Sequence, residues 1–420
     1  MSDMWLIGVL LIVLFFFLGS GVWVGASLIG CAVVAMELFT SRPVGDSMAI
    51  TIWSSISSWT LTSLPLFIWM GEILFRTKIS ETLFRGLTPW MYRLPGGLLH
   101  VNITGSAVFA AISGSSAATV ATVGKMSIPE LQKRKYPERM IVGTLAGAGT
   151  LGLLIPPSVS LIIYGVTVNE SIVKLFIAGI LPGIMLAALF MGYVALTSLF
   201  KKTGETDDLS FTWRDKFKAL VSLTPVLALI VCVIGSIYSG IATATEAAVL
   251  GVIGSMIIAA VQKSLNWKCF IESLMGAMKT SSMIAFILMG AHFLSLAMGF
   301  TGLPSNLAQG IAAMHLSPLM LIVILTVFYI ILGCFLDGLS SIVLTMAVIE
   351  PLVRQAGFDM IWFGIYLMIV VEMAQITPPV GFNLFVLQSM TGHNMAFIAR
   401  AAFPMFLIMI LAVFILRFQQ

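Results

Sequence analysis

Long apolar runs separated by short polar connections dominate this chain. Runs at 4–18, 22–39, 50–75, 139–165, 172–200, 219–238, 242–262, 280–299, 360–390 and 401–417 predict membrane-spanning helices, since a helix needs about 20 apolar residues to cross the hydrocarbon of a bilayer. Two further apolar segments, 94–124 and 317–352, are wrong for simple spans. The first carries Gly96-Gly97, Gly105 and then Ser113-Gly114-Ser115-Ser116 in its interior; the second carries Gly333, Asp337-Gly338 and Ser340-Ser341. Each is long enough to enter a bilayer, turn at a polar tip and leave on the same side. Both therefore predict re-entrant helical hairpins.

The sparse charges sharpen that reading. Arg76, Lys78, Arg85 and Arg93 precede the first hairpin, and Lys125, Lys133, Arg134, Lys135 and Arg139 follow it. Basic loops stay cytoplasmic, so both flanks lie on one side, as a re-entrant segment requires. Lys201, Lys202, Arg214, Lys216 and Lys218 fall on the same side, as do Lys263, Lys268 and Lys279, while the uncharged loop 300–316 falls outside. The second hairpin then opens outward, and both termini are expected outside.

The halves also echo each other. Leu154-Ile155-Pro156-Pro157-Ser158 recurs as Ile376-Thr377-Pro378-Pro379-Val380, and Pro182 matches Pro404 at the same offset. Ile68-Trp69-Met70-Gly71 likewise resembles Ile287-Leu288-Met289-Gly290. The expected fold is an all-α polytopic membrane protein of two inverted repeats, each with a re-entrant hairpin and a broken transmembrane helix. The first repeat covers 1–200, the second 217–420, and the polar segment 201–216 joins them. Hairpins fall at 94–124 and 317–352, broken helices at 139–165 and 360–390.

Composition narrows the function. Of 420 residues, 59% are hydrophobic and 10% charged, against about 25% charged in soluble domains, which excludes an ordinary water-facing enzyme. The net charge of +4 reports topology and implies no nucleic-acid partner. Cys31, Cys232, Cys269 and Cys334 have no metal or redox spacing and read as packing residues. Asp3 is the only charge before the first apolar run, so no cleaved signal peptide is expected. No GxxxxGK[ST] loop occurs, which argues against an ATP-driven pump.

Inverted repeats with breakers at matched places are the mark of a secondary transporter. Pro156-Pro157 and Pro378-Pro379 remove amide donors and clash with the preceding turn, so both helices must break there. Freed carbonyls in hydrocarbon need protein, water or an ion. Ser113, Ser115 and Ser116 at one tip, and Ser340 and Ser341 at the other, could complete a small cation's shell. Two related cation sites flanking one substrate site are expected.

Acidic residues at membrane depth are suspects by default. Asp337 at the second tip is the first of them, followed by Glu246 and Glu372, either of which could instead pair structurally. Glu37 and Glu72 read as solvated span ends, and Lys125 and Arg354 as topology markers. His100 and His292 are lone histidines, read as packing rather than a proton relay. A passive channel, or an intramembrane serine hydrolase using the Ser113–Ser116 run with His100 or His292, remain alternatives.

Five blocks in order, Ala111-Ile112-Ser113-Gly114-Ser115-Ser116-Ala117-Ala118-Thr119-Val120-Ala121, Gly152-Leu153-Leu154-Ile155-Pro156-Pro157-Ser158, Ala244-Thr245-Glu246-Ala247-Ala248, Asp337-Gly338 and Ile376-Thr377-Pro378-Pro379-Val380-Gly381-Phe382-Asn383, resemble the large membrane subunit of tripartite ATP-independent periplasmic (TRAP) transporters. The resemblance implies sodium-driven, ATP-independent uptake of an organic acid, commonly a C4-dicarboxylate or sialic acid, across the bacterial inner membrane by an elevator movement. It implies a four-span small subunit and a soluble periplasmic binding protein as partners, and no organic cofactor. Carried onto matching positions, it assigns one Na+ site to Ser113, Ser116, Gly152, Ile155 and Pro156, and a second to Gly333, Ala374, Thr377 and Val380. Ser115, Ser116 and Asp337 would face substrate. Ala374 stands where a glycine is expected.

Overall fold

Backbone amides inside a bilayer must be satisfied within the chain, and the apolar runs accordingly fold as helices. The computed structural model describes residues 3–200, 210–303, 306, 317–334, 336–379 and 381–417, and contains no strand among them. Val380, expected to bind the second cation, and most of the loop 300–316 lie outside the described residues.

The chain opens with α1 (Asp3–Gly19) and α2 (Val24–Phe39), then α3 (Val44–Ile56) and α4 (Ser63–Phe75). The expected single span over 50–75 is thus interrupted by a 3-10 turn, Trp59–Thr62. The cause is local: the Ser54 and Ser55 hydroxyls donate back to the Thr51 carbonyl at 2.9 and 2.6 Å, and Ser58 leaves the helix in an extended conformation. Clustered serines offer the backbone an alternative to the helical ladder.

After α5 (Ile79–Met91), the first hairpin consists of α6 (Leu99–Ser113) and α7 (Ser116–Lys133). Gly114 turns the chain between them with φ +57, a left-handed conformation that glycine adopts at little cost. The first broken helix follows as α8 (Glu138–Gly149), α9 (Leu151–Leu154) and α10 (Val159–Thr167), bent by 43° across the break. Next come α11 (Ile172–Phe200), α12 (Trp213–Tyr238), α13 (Ala244–Val261) and α14 (Trp267–Thr301).

The run 280–299 captured only the second part of α14, which has 35 residues. Its start is marked by Asn266, whose side chain accepts from the Cys269 amide at 2.7 Å; the charged first turns remain helical although they do not read as a span.

The second hairpin is α15 (Pro318–Gly333) and α16 (Gly338–Gln355). The second broken helix is α17 (Met360–Gln375) and α18 (Phe382–Thr391), and α19 (Met395–Arg417) ends the described chain. Both proline pairs, Pro156-Pro157 and Pro378-Pro379, hold cis peptide bonds at these breaks.

Among the described residues α11, α12, α13, α14 and α19 are each long and apolar enough to cross a membrane alone. At the centre lies α17, buried along nearly its whole length. Small residues bring backbones together elsewhere in the molecule: an ideal Cβ on Gly143 would sit 2.4 Å from the Ala401 carbonyl, and one on Gly290 2.5 Å from that of Gly25. Such close approach is how helices associate where lipid removes the hydrophobic drive. The outer surface is apolar, with Ile12, Phe15, Phe16, Trp23 and Trp213 all exposed. Apolar surface on this scale marks a contact with lipid or protein.

Candidate substrate and cation site

The two hairpin tips and the two helix breaks converge on one cavity of about 440 Å³. Its walls include Ser113 to Ala118 from the first tip, Asp337 to Leu339 from the second, Leu153 and Val159 from the first break, and Gln375, Phe382 and Asn383 from the second. Helix α4 adds Ile68, Gly71, Glu72 and Phe75; α14 adds Thr280 and Ile284.

The first tip is held by its own hydroxyls. Ser113 Oγ lies 3.0 Å from Thr119 Oγ1 and donates to the Ser115 carbonyl at 3.3 Å. Ser115 caps α7, its Oγ accepting from the Ala118 amide, as serine commonly does at a helix start. Ser116 is buried, and its Oγ donates to Glu372 Oε1 of α17. This bond ties the first tip to the second broken helix. Gly152 lies directly against the tip: an ideal Cβ there would stand 2.6 Å from the Ser116 amide nitrogen. Ser113, Ser116 and Gly152 are therefore neighbours. Ile155 and Pro156 instead pack their side chains toward α11, where Gly183 faces Ile155 and Gly179 faces Pro156.

At the second tip Gly333 and Ala374 touch so closely that an ideal Cβ on Gly333 would meet the Ala374 methyl at 2.5 Å. A residue larger than glycine at one partner thus excludes anything larger than glycine at the other. Thr377 turns its Oγ1 to the Met373 carbonyl at 2.7 Å. Cys334, read from sequence as packing, points its Sγ at the Pro378 carbonyl (3.4 Å) and the Thr377 carbonyl (4.0 Å). Asp337 lines the cavity and is exposed, with Oδ2 accepting from the Leu339 and Ser340 amides at 3.1 and 3.2 Å. It is a helix cap as well as a wall residue.

Other candidates separate cleanly. Glu246 closes a capping box with Thr243 at the start of α13, accepting from its amide and hydroxyl at 2.8 Å, and takes no part in the cavity wall. Glu37 is exposed near the end of α2. His100 Nε2 engages the Pro95 carbonyl at 2.8 Å. Neither it nor His292 has a hydrogen bond to the Ser113–Ser116 run among the described residues, whose buried hydroxyl partner is Glu372.

Glu72 departs from its expectation: it lines the cavity, and Arg76 Nη1 donates to its Oε2. Arg76 itself helps line a second cavity, of about 420 Å³, together with Lys125, Lys268 and Glu272. Phe75 and Ala121 belong to both cavities, so the basic space adjoins the first.

Two wall residues escaped the sequence reading. Asn383 is fully buried, and neither its Nδ2 nor its Oδ1 has a hydrogen-bond partner among the described residues; Gln375 is 4% exposed, and its Nε2 has none among them. An unmade buried hydrogen bond costs about 1–3 kcal/mol. The only sequence signal was position: Gln375 immediately precedes the second proline block and Asn383 ends it.

No group of three His, Cys, Asp or Glu side chains suited to a metal occurs among the described residues. The side-chain oxygens gathered here are hydroxyls of the first tip and the carboxylates of Glu72 and Asp337, with Glu372 bonded to Ser116.

Lipid-facing helices around a central pocket built from two hairpin tips and two helix breaks define a polytopic membrane transporter. The chain belongs to the tripartite ATP-independent periplasmic transporter family: the description of the DctM component matches residues 11–419. The C4-dicarboxylate TRAP transporter large permease protein DctM of Pseudomonas aeruginosa is 31% identical over 371 residues, covering 88% of this chain and 86% of that protein. The sialic acid TRAP transporter large permease protein SiaM of Vibrio cholerae is 29% identical, covering 92% and 90%. In fold, the chain is similar to the Alcanivorax borkumensis YdaH transporter, with a TM-score of 0.63 at 12% identity over 87% of this chain and 85% of that one.

Proposed function

We propose that this chain is the large permease of a sodium-coupled uptake system for a small organic acid, working with a small membrane subunit and a periplasmic binding protein that delivers the substrate. The observation that carries this reading is the single cavity at which both hairpin tips and both helix breaks meet. Sodium ions bind at the tip–break junctions, through Ser113, Ser116 and Gly152 on one side and Gly333, Ala374, Thr377 and Val380 on the other. Ile155 and Pro156 contribute backbone carbonyls to the first. Ser115, Ser116 and Asp337 face the substrate, a C4-dicarboxylate, sialic acid or similar carboxylate. The names of the P. aeruginosa and V. cholerae relatives support that substrate class. So does the adjoining cavity with Arg76, Lys125 and Lys268, which favours an anion leaving the site.

Cation binding closes the pocket, and the domain bearing both hairpins then slides past a scaffold that includes α1, α2, α12 and α13. In this reading the two halves are inverted repeats, the membrane is the bacterial inner membrane and both termini are periplasmic. The reconstituted complex should lose uptake when the sodium gradient is collapsed, and sodium-independent, ATP-stimulated uptake would overturn the proposal. Ser116→Ala and Thr377→Val should each raise the sodium concentration for half-maximal uptake. Unchanged values in both variants would remove the cation assignments while leaving transport itself standing.

A further inference from the structure

We propose that the side-chain amides of Gln375 and Asn383 form the contact for the carboxylate of the transported acid. The inference rests on the uptake reading above and adds the groups that recognise the anion.

Among the described residues, a carboxylate entering this cavity meets no lysine or arginine in its walls. The acidic groups present are already engaged. Glu72 is bonded to Arg76, and Asp337 Oδ2 accepts two backbone amides at the start of α16. The Ser116 hydroxyl is likewise spent, donating to Glu372. Among the described wall residues, the buried side-chain groups without a hydrogen-bond partner are Gln375 Nε2 and the amide of Asn383.

These two residues flank the second helix break: Gln375 is the last residue of α17, and Asn383 lies in the first turn of α18. Between them the chain runs through Pro378-Pro379, which supply no amide donors. The break therefore opens a gap in the backbone's donors where two side-chain donors stand unused. An amide NH2 is a neutral donor, and its bond to an ionised carboxylate is charge-assisted. Neutral donors also suit a carrier, which must release its cargo after moving it. Terminal amide torsions are broad, so each group can turn from the wall toward the cavity without displacing its helix. Gln375 is additionally close to the second tip, its Nε2 standing 4.0 Å from an ideal Cβ on Gly338.

The test uses the complete complex, with its small subunit and binding protein, reconstituted in liposomes. Radiolabelled succinate, sialic acid and isethionate are offered as probes. On the acid the wild type takes up, Gln375→Met and Asn383→Leu, which keep volume and remove the donor, should each raise KM about tenfold. Gln375→Glu and Asn383→Asp, which set an anion against an anion, should raise it further. Sodium-dependent thermal stabilisation of the purified protein without substrate should stay within about twofold in its half-saturating concentration, a readout that loss of general packing would not spare. If wild-type uptake is normal and all the folded variants keep wild-type KM, the assignment is overturned. If KM rises only together with weakened sodium binding, the amides belong to the cation shell and the assignment is equally overturned. Absence of sodium-driven uptake of every probe by the wild type would bring down the transport reading, and this inference with it.

Discussion

Gly152 and Gly192 show how much one hydrogen atom can carry in this chain. An ideal Cβ on Gly152 would stand 2.6 Å from the Ser116 nitrogen and 2.7 Å from the Ser115 carbonyl oxygen, both backbone atoms that cannot swing aside. Gly192, inside α11, has nothing within 4 Å. Gly152→Ala should therefore destabilise the protein by about 1–3 kcal/mol through overpacking. Gly192→Ala should instead stabilise it by about 0.5–1 kcal/mol by favouring the helix. Thermal unfolding in detergent reads both, and equal shifts would mean that the tip does not seat on Gly152. At this scale the sequence was partly legible. Ser113, Ser115 and Ser116 announced themselves as hydroxyls in an apolar run, and Asp337 as a lone acid beside a glycine. Glu72 did not, because its role depends on a cavity wall shared with residues far away in the chain.

Among the elements, helix breaks were more legible than helix ends. Proline lacks the amide that a helix needs, so Pro156-Pro157 and Pro378-Pro379 end α9 and α17 nearby whatever surrounds them. Serine is weaker and conditional, which is why the interruption between α3 and α4 did not show in a hydrophobicity pattern. Glu246 illustrates the converse, with its structural alternative the one observed. A carboxylate inside an apolar block looked like a site, yet its spacing from Thr243 is that of a capping box. Thr243→Ala should lower stability by about 1 kcal/mol and leave the KM for substrate and the sodium dependence of uptake unchanged. Thermal unfolding and uptake on the same preparation check this, and a large change in KM with unaltered stability would return Glu246 to the site.

Across the whole molecule, the proposed mechanism predicts the behaviour of a carrier and not of a pore. The cavity is bounded by two hairpin tips and two helix breaks, and Ser116 of one tip is bonded to Glu372 of the other half. In the proposed mechanism the site is emptied by movement, and each movement carries a bounded load. Flux against substrate concentration should therefore saturate, without substrate-independent ion conductance. A linear flux curve with measurable conductance would favour a channel. The exposed apolar surface, with Trp23, Trp213 and Trp267 each more than 70% accessible, leaves ample area for lipid and for a membrane-embedded partner.

The sequence by itself determined the all-helical fold, the two places where prolines break helices and the residue types at the tips. These follow from local chemistry: apolar length, missing proline amides and glycine's freedom at positive φ. Tertiary structure alone decided which tip meets which break. Ser116 and Glu372 are 256 residues apart, and no periodicity in either segment encodes their meeting. It likewise decided that Gln375 Nε2 and the Asn383 amide stand buried without partners among the described residues, because an unmet hydrogen bond is a property of everything packed around the group. Local pattern sets what each segment can be, whereas only packing sets which polar atoms are left for a substrate.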